Sequence, residues 1–434
     1  MLTTETTKTD LYQRALDEAD RAFSGDGAPR PFAERRRAAR DRFAALGFPT
    51  KRDEAWKYTD LRPALRPDYA FLRGDGTTRL TRADLDPYRV PDLDAHTAVV
   101  VNGAFVPALS DLDGLDGATA ASLRASADHE VVRRHLDRAD DGAFAALNAA
   151  FDLDGLLLHV PDGIVLEKPL HVIHVVDAEA DAFVQSRHLF VFGRNAQARV
   201  VESHHVRGGA ETLGNHVTEI VVAQGAVVDH YRIQDEGARA HQVNTAHVVQ
   251  EGRSVFSTAT FTFESGLVRN DLTVVPAAEG CETHLYGLYV LRGGQHVDNH
   301  TFVDHAAPGC QSNELYKGIV YDRATGVFNG KVYVRRDAQQ TNAYQQSQGV
   351  VLSDDAHHYS KPELEIYADD VKCSHGSTTG EIDPEALYYC RARGISLSDA
   401  RAMLLYAFAH DVVEQVKLPA LRAHLDRLIE ARLD

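Results

Sequence analysis

Cysteine is scarce in this chain. Cys281, Cys310, Cys373 and Cys390 are the 4 thiols among 434 residues, and no two form a C-x-x-C pair. Neither a disulfide framework nor a cage for zinc or a permanent cluster is therefore encoded. Long apolar runs are also missing, since nowhere do eighteen apolar residues follow one another without a charge. The start, MLTTETTKTDLYQ, has no basic segment leading into an apolar core. Secretion and membrane spanning are not expected, which places the protein in the cytoplasm with its thiols reduced. Positive charge is the third deficit. Lys and Arg number 46 against 63 Asp and Glu, a formal net charge of -17, which disfavours nucleic acid and anionic membrane surfaces as partners.

Missing motifs narrow the chemistry further. No G-x-S-x-G elbow and no H-E-x-x-H pair occurs, so hydrolase and zincin readings lack an anchor. GVFNGKV, residues 326–332, approaches a phosphate loop. It has three residues between its glycines, however, and Val332 where the magnesium-binding Ser or Thr belongs. Lys331 reads as an outward strand residue, and the chain is not expected to bind ATP.

What is present divides into three spans: a helical and mixed N-terminal domain at 1–140, a β core at 141–382 and a C-terminal helical domain at 383–434. Apolar residues make up 44% of the chain, enough for more than one core. Leu11, Ala15, Leu16, Ala19, Ala22 and Phe23 recur at helical spacing until SGDGAPRP breaks the run. A second helix follows from Pro31 to Gly47. Then GFPTKRDEAWKYTDL carries the lone Trp56, read as a packing anchor. A strand at 98–106 and a helix at 129–137 complete the first span.

Short strands fill 155–380, separated by Gly, Asn and Asp turns. Some alternate, with Ala259, Phe261 and Phe263 opposite Thr258, Thr260 and Thr262, and others are apolar throughout. With no amphipathic helix between them, the pattern predicts a mainly β fold: a sandwich, a propeller or a parallel β-helix. Helices return at Asp383, a candidate N-cap ahead of Pro384, and again at Ser396 or Ser398. Leu404, Ala407, Val412 and Val416 form one stripe, and Leu421, Leu425 and Leu428 another. Such a pair can cap the β core or serve as a docking surface.

Two sets of side chains invite a metal reading. In ADDVKCSHGSTTG, residues 368–380, a strand is expected to end at Cys373 and His375, which share one side at i and i+2. They amount to half a metal site, or to a buried thiol beside a solvated histidine. His204–His205, His357–His358, and His296, His300 and His305 with Asp298 and Asp304 form the second set. Without ligand spacing they read as polar strand and turn residues, with a metal-dependent enzyme as the alternative.

Residues 296–396, from HVDNHTFVDH through KCSHGSTTG to RARGIS, resemble the SufB/SufD family of iron-sulfur cluster assembly proteins almost continuously. AALNAAFDLDGLLLHVPDGIVLEKPLHV at 145–172 is also similar to that family, while 65–140 matches loosely. RDEAWKYTDL at 52–61 resembles its SufD branch. So does KCSHG, with Gly376 where SufB carries a glutamate. The resemblance implies a right-handed parallel β-helix flanked by helical N- and C-terminal domains. It implies a non-catalytic scaffold that pairs with SufB through the β-helix and binds the ATPase SufC through its C-terminal helices, and it allows a homodimer when the chain is isolated. ATP belongs to SufC. The nascent iron-sulfur cluster, held transiently and not by this chain alone, is shared with SufB, with His375 the first ligand and Cys373 the second. Cys281, Cys310 and Cys390 are expected to pack internally. A purely structural β-helix is the competing role.

Overall fold

The computed structural model describes residues 3–23, 33–115, 117–136, 138–139, 142–151 and 154–433. SGDGAPRP, Pro31 and the side chains of Ala22 and Phe23 lie outside the described residues. The rest of the first helical run is met by α1 (Thr3–Phe23) and α2 (Ala33–Leu46). The helix expected at 129–137 is α3 (Glu130–His135), and α4 (Gly142–Ala150) follows it.

Two ladders of parallel strands make the body of the protein. The first joins His96–Val101, Leu170–Asp177, Gln197–Arg207, the leading parts of Val227–Gln250 and Val255–Pro276, Glu282–Leu291, Gln311–Val320, Thr341–Val351 and Val371–Gly380. The second joins Ala70–Leu72, Ala182–Phe192, Thr212–Val222, the trailing parts of the two long strands, His296–His305, Thr325–Val334 and His357–Ile366. The chain passes from one ladder to the other and back, so each circuit stacks on its predecessor. This is a parallel β-helix with helices at both ends. Val255 pairs with Glu282 and Gln311 with Asn342, so circuit length varies and no fixed repeat shows in the sequence. GVFNGKV lies inside the strand Thr325–Val334, where Lys331 turns outward to Glu365 at 2.6 Å.

Inward side chains of both ladders share one core, with Val200, Val228, Phe256 and Leu285 meeting Phe190, Ile220, Val248 and Val274. Helices cover both outer sides. Phe183, Leu213, Val243 and Leu267 pack under α1, α2 and α4. Tyr231, Phe261, Phe263, Leu288 and Ile319 pack under α6 (Leu397–Val413) and α7 (Pro419–Leu433), which follow α5 (Pro384–Ala392). The alternation at 258–263 therefore has an unexpected sense. Ala259, Phe261 and Phe263 face outward beneath helices, and Thr258 and Thr262 face the lumen, where they meet His230 and Gln234. Walls covered on both sides also explain the strands that are apolar throughout.

The C-terminal helices begin as their caps suggest: Asp383 accepts from Glu385 N at 2.9 Å and Ser396 from Asp399 N at 3.1 Å. The buried stripe of α6 is Leu405, Ala409, Val412 and Val413, with Val416 just beyond its end; Ala407 is exposed. The expected stripe was rotated because the helix wraps the wall while Leu404 sits at its margin. Among the described residues no helix is long and apolar enough to cross a membrane.

Two outcomes follow from the packing. Leu425, fully buried between α7 and the wall, should cost about 2–5 kcal/mol when cut to alanine, read as a lower denaturation midpoint. Glu314 lies in the lumen, where Thr301 Oγ1 donates to it at 2.5 Å and Gln345 Nε2 at 3.0 Å. Desolvation outweighs these bonds and pushes its carboxyl up from 4.5 to about 7. The folded state thus holds a proton that the unfolded state releases above about 4.5. The resulting stability is complete below that pH and is lost as pH rises through about 7, at most on the order of 3 kcal/mol. Glu314→Gln should therefore raise the unfolding midpoint at pH 8 and change it little at pH 5. Equal shifts at both would refute a neutral Glu314.

Candidate functional site

The last circuit is open. Val371–Gly380 pairs in parallel with Thr341–Val351 along one edge, and among the described residues no strand pairs with its other edge. Its inward positions continue columns that run the length of the first ladder. Cys373 follows Ser312 and Ala343, and His375 follows Glu314 and Gln345. Gln345 and Glu314 are buried, whereas His375, one rung further with nothing above it, is exposed.

The strand does not end at Cys373 and His375 as expected; it continues through GSTTG to Gly380. Small polar residues read as a turn because a strand enclosed in a wall seldom uses them. On a terminal rung they have no neighbouring circuit to pack against. The spacing argument survives, since both side chains stand on the lumen side of one strand. Cys373 is half-buried against the apolar core. Burial pushes its thiol above the ordinary range, partly offset by the Ala343 backbone. It is therefore a neutral thiol at rest.

The other cysteines divide. Cys281 and Cys310 are fully buried on successive circuits, where both donate to Ala278 O, at 3.1 and 3.3 Å. Cys390 on α5 is only half-buried, so its expected internal packing is not met there. Of the strand and turn alternatives, His358 takes the strand. It lies in His357–Ile366 with Nδ1 2.8 Å from Thr379 Oγ1, spanning the last circuit, and burial lowers its pKa to about 4. Sequence spacing gave no signal for this link, because its partners come from opposite ladders.

The histidine and aspartate run 296–305 does not converge on a metal. Asp298 instead accepts from Thr59 Oγ1 and, at 2.7 Å, from Arg269 Nη1, and lies 3.0 Å from His300 Nε2. Arg269 also donates to Ala55 O at 2.7 Å and sits 4.4 Å over the Trp56 ring, which stacks on Phe144. RDEAWKYTDL is thus an anchor clamped to the β-helix, as read. Its Tyr58 stacks on Tyr359 at 4.7 Å and its Glu54 meets Lys361 at 3.1 Å, both on the last strand of the second ladder.

Around the open end, apolar side chains stay in solvent. Tyr359, Ile366 and Tyr367 are exposed near the end of the second ladder, and Tyr388 and Tyr389 on α5 are 76% and 60% exposed. Such a concentration is a candidate interaction surface.

Comparison with known proteins agrees with the architecture. Residues 174–408 match the family model described as SUF system FeS cluster assembly, SufBD core domain, and residues 3–172 match the SufBD protein N-terminal region. The chain is 32% identical to an iron-sulfur cluster assembly SufBD family protein of Synechocystis, over 92% of this chain and 90% of that protein. It is 28% identical to the iron-sulfur cluster assembly protein SufD of Escherichia coli, over 96% of this chain and 97% of the relative. With SufD of Bacillus subtilis it shares 25% identity over 68% of each. A β-helix walled by helices and matched by these models along nearly its whole length belongs to the SufBD family of SUF-system iron-sulfur cluster assembly proteins.

Proposed function

We propose that this chain is a scaffold subunit that pairs with SufB through the open end of its β-helix, so that a nascent iron-sulfur cluster is built where the two meet. The observation that carries this reading is the terminal strand: two metal-capable side chains share its lumen side, and its far edge lacks a partner among the described residues. An unpaired edge of ten residues is a template for a strand from another chain. The exposed Tyr359, Ile366 and Tyr367 add apolar area beside it.

The cluster is cargo, to be built and released. Two donors from this chain leave its coordination incomplete, and SufB supplies the rest. A site divided between two chains opens when they move apart, whereas a closed four-thiolate cage would retain its content. His375 is the first ligand and Cys373 the second. Imidazole nitrogen replaces thiolate on iron in Rieske centres, and the exposed ring of His375 reaches a partner more readily than the half-buried thiol. ATP is bound by SufC and not by this chain. SufC docks on the outward side of the C-terminal helices, around Tyr388 and Tyr389. The competing role, a structural strut that steadies SufB without ligating iron, shares every feature except the ligands.

His375→Ala should leave the complex with SufB and SufC whole while cluster formed per complex under anaerobic assembly with ATP drops at least tenfold. Cys373→Ser should have a smaller effect. His96→Ala, at the opposite end of the β-helix, serves as the control, because His358 closes the last circuit. Unchanged assembly by intact His375→Ala complexes would favour the strut.

Docking of SufC is tested on the surface, because deleting α6 and α7 would strip the wall that buries Phe261, Phe263 and Ile319. Tyr388→Ser combined with Tyr389→Ser should weaken SufC capture at least tenfold without lowering the melting temperature. Undiminished capture would move the contact elsewhere.

A further inference from the structure

The lumen near the start of the β-helix holds a cluster that the assembly role leaves unused. His174 on Leu170–Asp177 pairs in register with His204 on Gln197–Arg207, and Glu202 precedes His204 by two residues, so all three point inward from adjacent strands. Their side chains are 7%, 2% and 1% exposed for His174, His204 and Glu202. Nε2 of both histidines is buried without a hydrogen-bond partner. Glu202 Oε2 lies 3.4 Å from His174 Nε2 and 3.6 Å from His204 Nε2. These separations are long for charge-assisted hydrogen bonds. They match the edge, roughly 3.4 Å, of a tetrahedron of ligands about 2.0–2.1 Å from a central ion.

The carboxylate is also oriented from behind. His230 Nε2 is 2.8 Å from Glu202 Oε1, and its Nδ1 is 3.0 Å from Thr258 Oγ1. Outer contacts of this kind hold a ligating carboxylate in place.

We propose that His174, Glu202 and His204 form a buried site for one borderline first-row divalent cation of the zinc or ferrous type. Two imidazole nitrogens and one carboxylate oxygen suit such an ion, and lack both the six oxygens that calcium or magnesium requires and the thiolates that cuprous copper prefers. A cavity of about 10 Å³ beside the two rings has room for one water as fourth ligand.

Two features set the cost of binding. The rings stack with 4° between their planes, so they must turn for both lone pairs to meet one ion. Arg232 Nη2 lies 3.4 Å from Glu202 Oε2 and 3.5 Å from Thr218 Oγ1, and must shift toward the threonine. Glu236 lines the same cavity with Oε2 buried and unpartnered, and desolvation pushes its carboxyl up to about 8. The bound ion would lock the first full-length strands of the ladder together.

Five strands of the first ladder separate this cluster from Val371–Gly380, so the site stands or falls independently of the assembly role. The test uses the full chain carrying Cys373→Ser and His375→Ala, which removes the donors at the open end, produced in cells grown with cobalt(II). About one cobalt per chain should survive desalting, with visible absorption of a tetrahedral nitrogen and oxygen site and a higher melting temperature than cobalt-free protein. His204→Phe and His174→Leu in that background should each melt cooperatively, retain under a tenth of the metal and show no cobalt-dependent shift. Either variant suffices if the other fails to fold. An apo parent chain, or equal cobalt in a folded variant, would overturn the site.

Discussion

Parallel stacking of circuits leaves the last strand of each ladder with one unpaired edge among the described residues. In a β-helix each strand takes its backbone hydrogen bonds from the circuits before and after it, so the terminal rung keeps an open row of N–H and C=O groups. The N-terminal end is finished with short antiparallel strands, Ala104–Phe105 on His96–Val101 and Thr119–Ser122 on Leu156–Val160. The first of these turns at Asn102 and Gly103, with φ of 48° and 84°, where a Cβ on Gly103 would fall 2.1 Å from Gln185 O. Among the described residues no strand closes the other end. The C-terminal helices run back along the outer wall, held by Lys417 on Asp229 at 2.7 Å and Arg432 on Asp235 at 2.6 Å. The openness of one end is thus set by topology, and the candidate site stands on it.

The same geometry makes the lumen tolerant of polar groups. Inward positions stack in columns, so a polar side chain on one rung meets another about 4.8 Å away on the next. Asn244, Asn270 and Asn299 bond one another this way across three circuits, and Gln234 of the first ladder bonds Gln242 and Asn270 of the second. Bonding within a column offsets much of the cost of burying these groups and fixes the register of the circuits, although Gln242 Nε2 and Asn244 Oδ1 are left without a partner. The columns also explain why the candidate ligands need no dedicated support. His375 stands where its column has already placed Glu314 and Gln345.

How much of this was legible in the sequence depends on whether the relevant contact is local. Caps were readable, because Asp383 and Ser396 bond amides two and three residues ahead. The clamp role of Trp56 was readable as an aromatic in a charged loop, though not its partner Arg269, more than two hundred residues away. The sense of the alternation at 258–263 was not, because period two states which residues share a face and not which face is covered. His358 and the His174–Glu202–His204 cluster were hidden for the same reason. Their partners come from another strand, at separations set by a variable circuit length. In KCSHG the shared side of Cys373 and His375 was legible, but the pair was misplaced at a strand end, since the composition of GSTTG reflects a rung with one neighbour.

The terminal strand is also mechanically exposed to the helices that follow it. Only Glu381, Ile382 and Asp383 connect Gly380 to the start of α5. That helix buries no residue of its own. It borders a cleft of about 990 Å³ lined by Thr379, Gly380, Ile382, Leu387, Ala402 and Leu405. A helix with little buried area and open space beneath it shifts at low cost, whereas α6 and α7 are seated on the wall by fully buried Val412, Leu421 and Ile429. Force applied at α5 is therefore delivered to the strand that carries Cys373 and His375 before it reaches the rest of the β-helix. Within that strand, hydrogen bonds to Thr341–Val351 resist on one edge only, so the rung that carries Cys373 and His375 is held less firmly than one with a neighbour on either side.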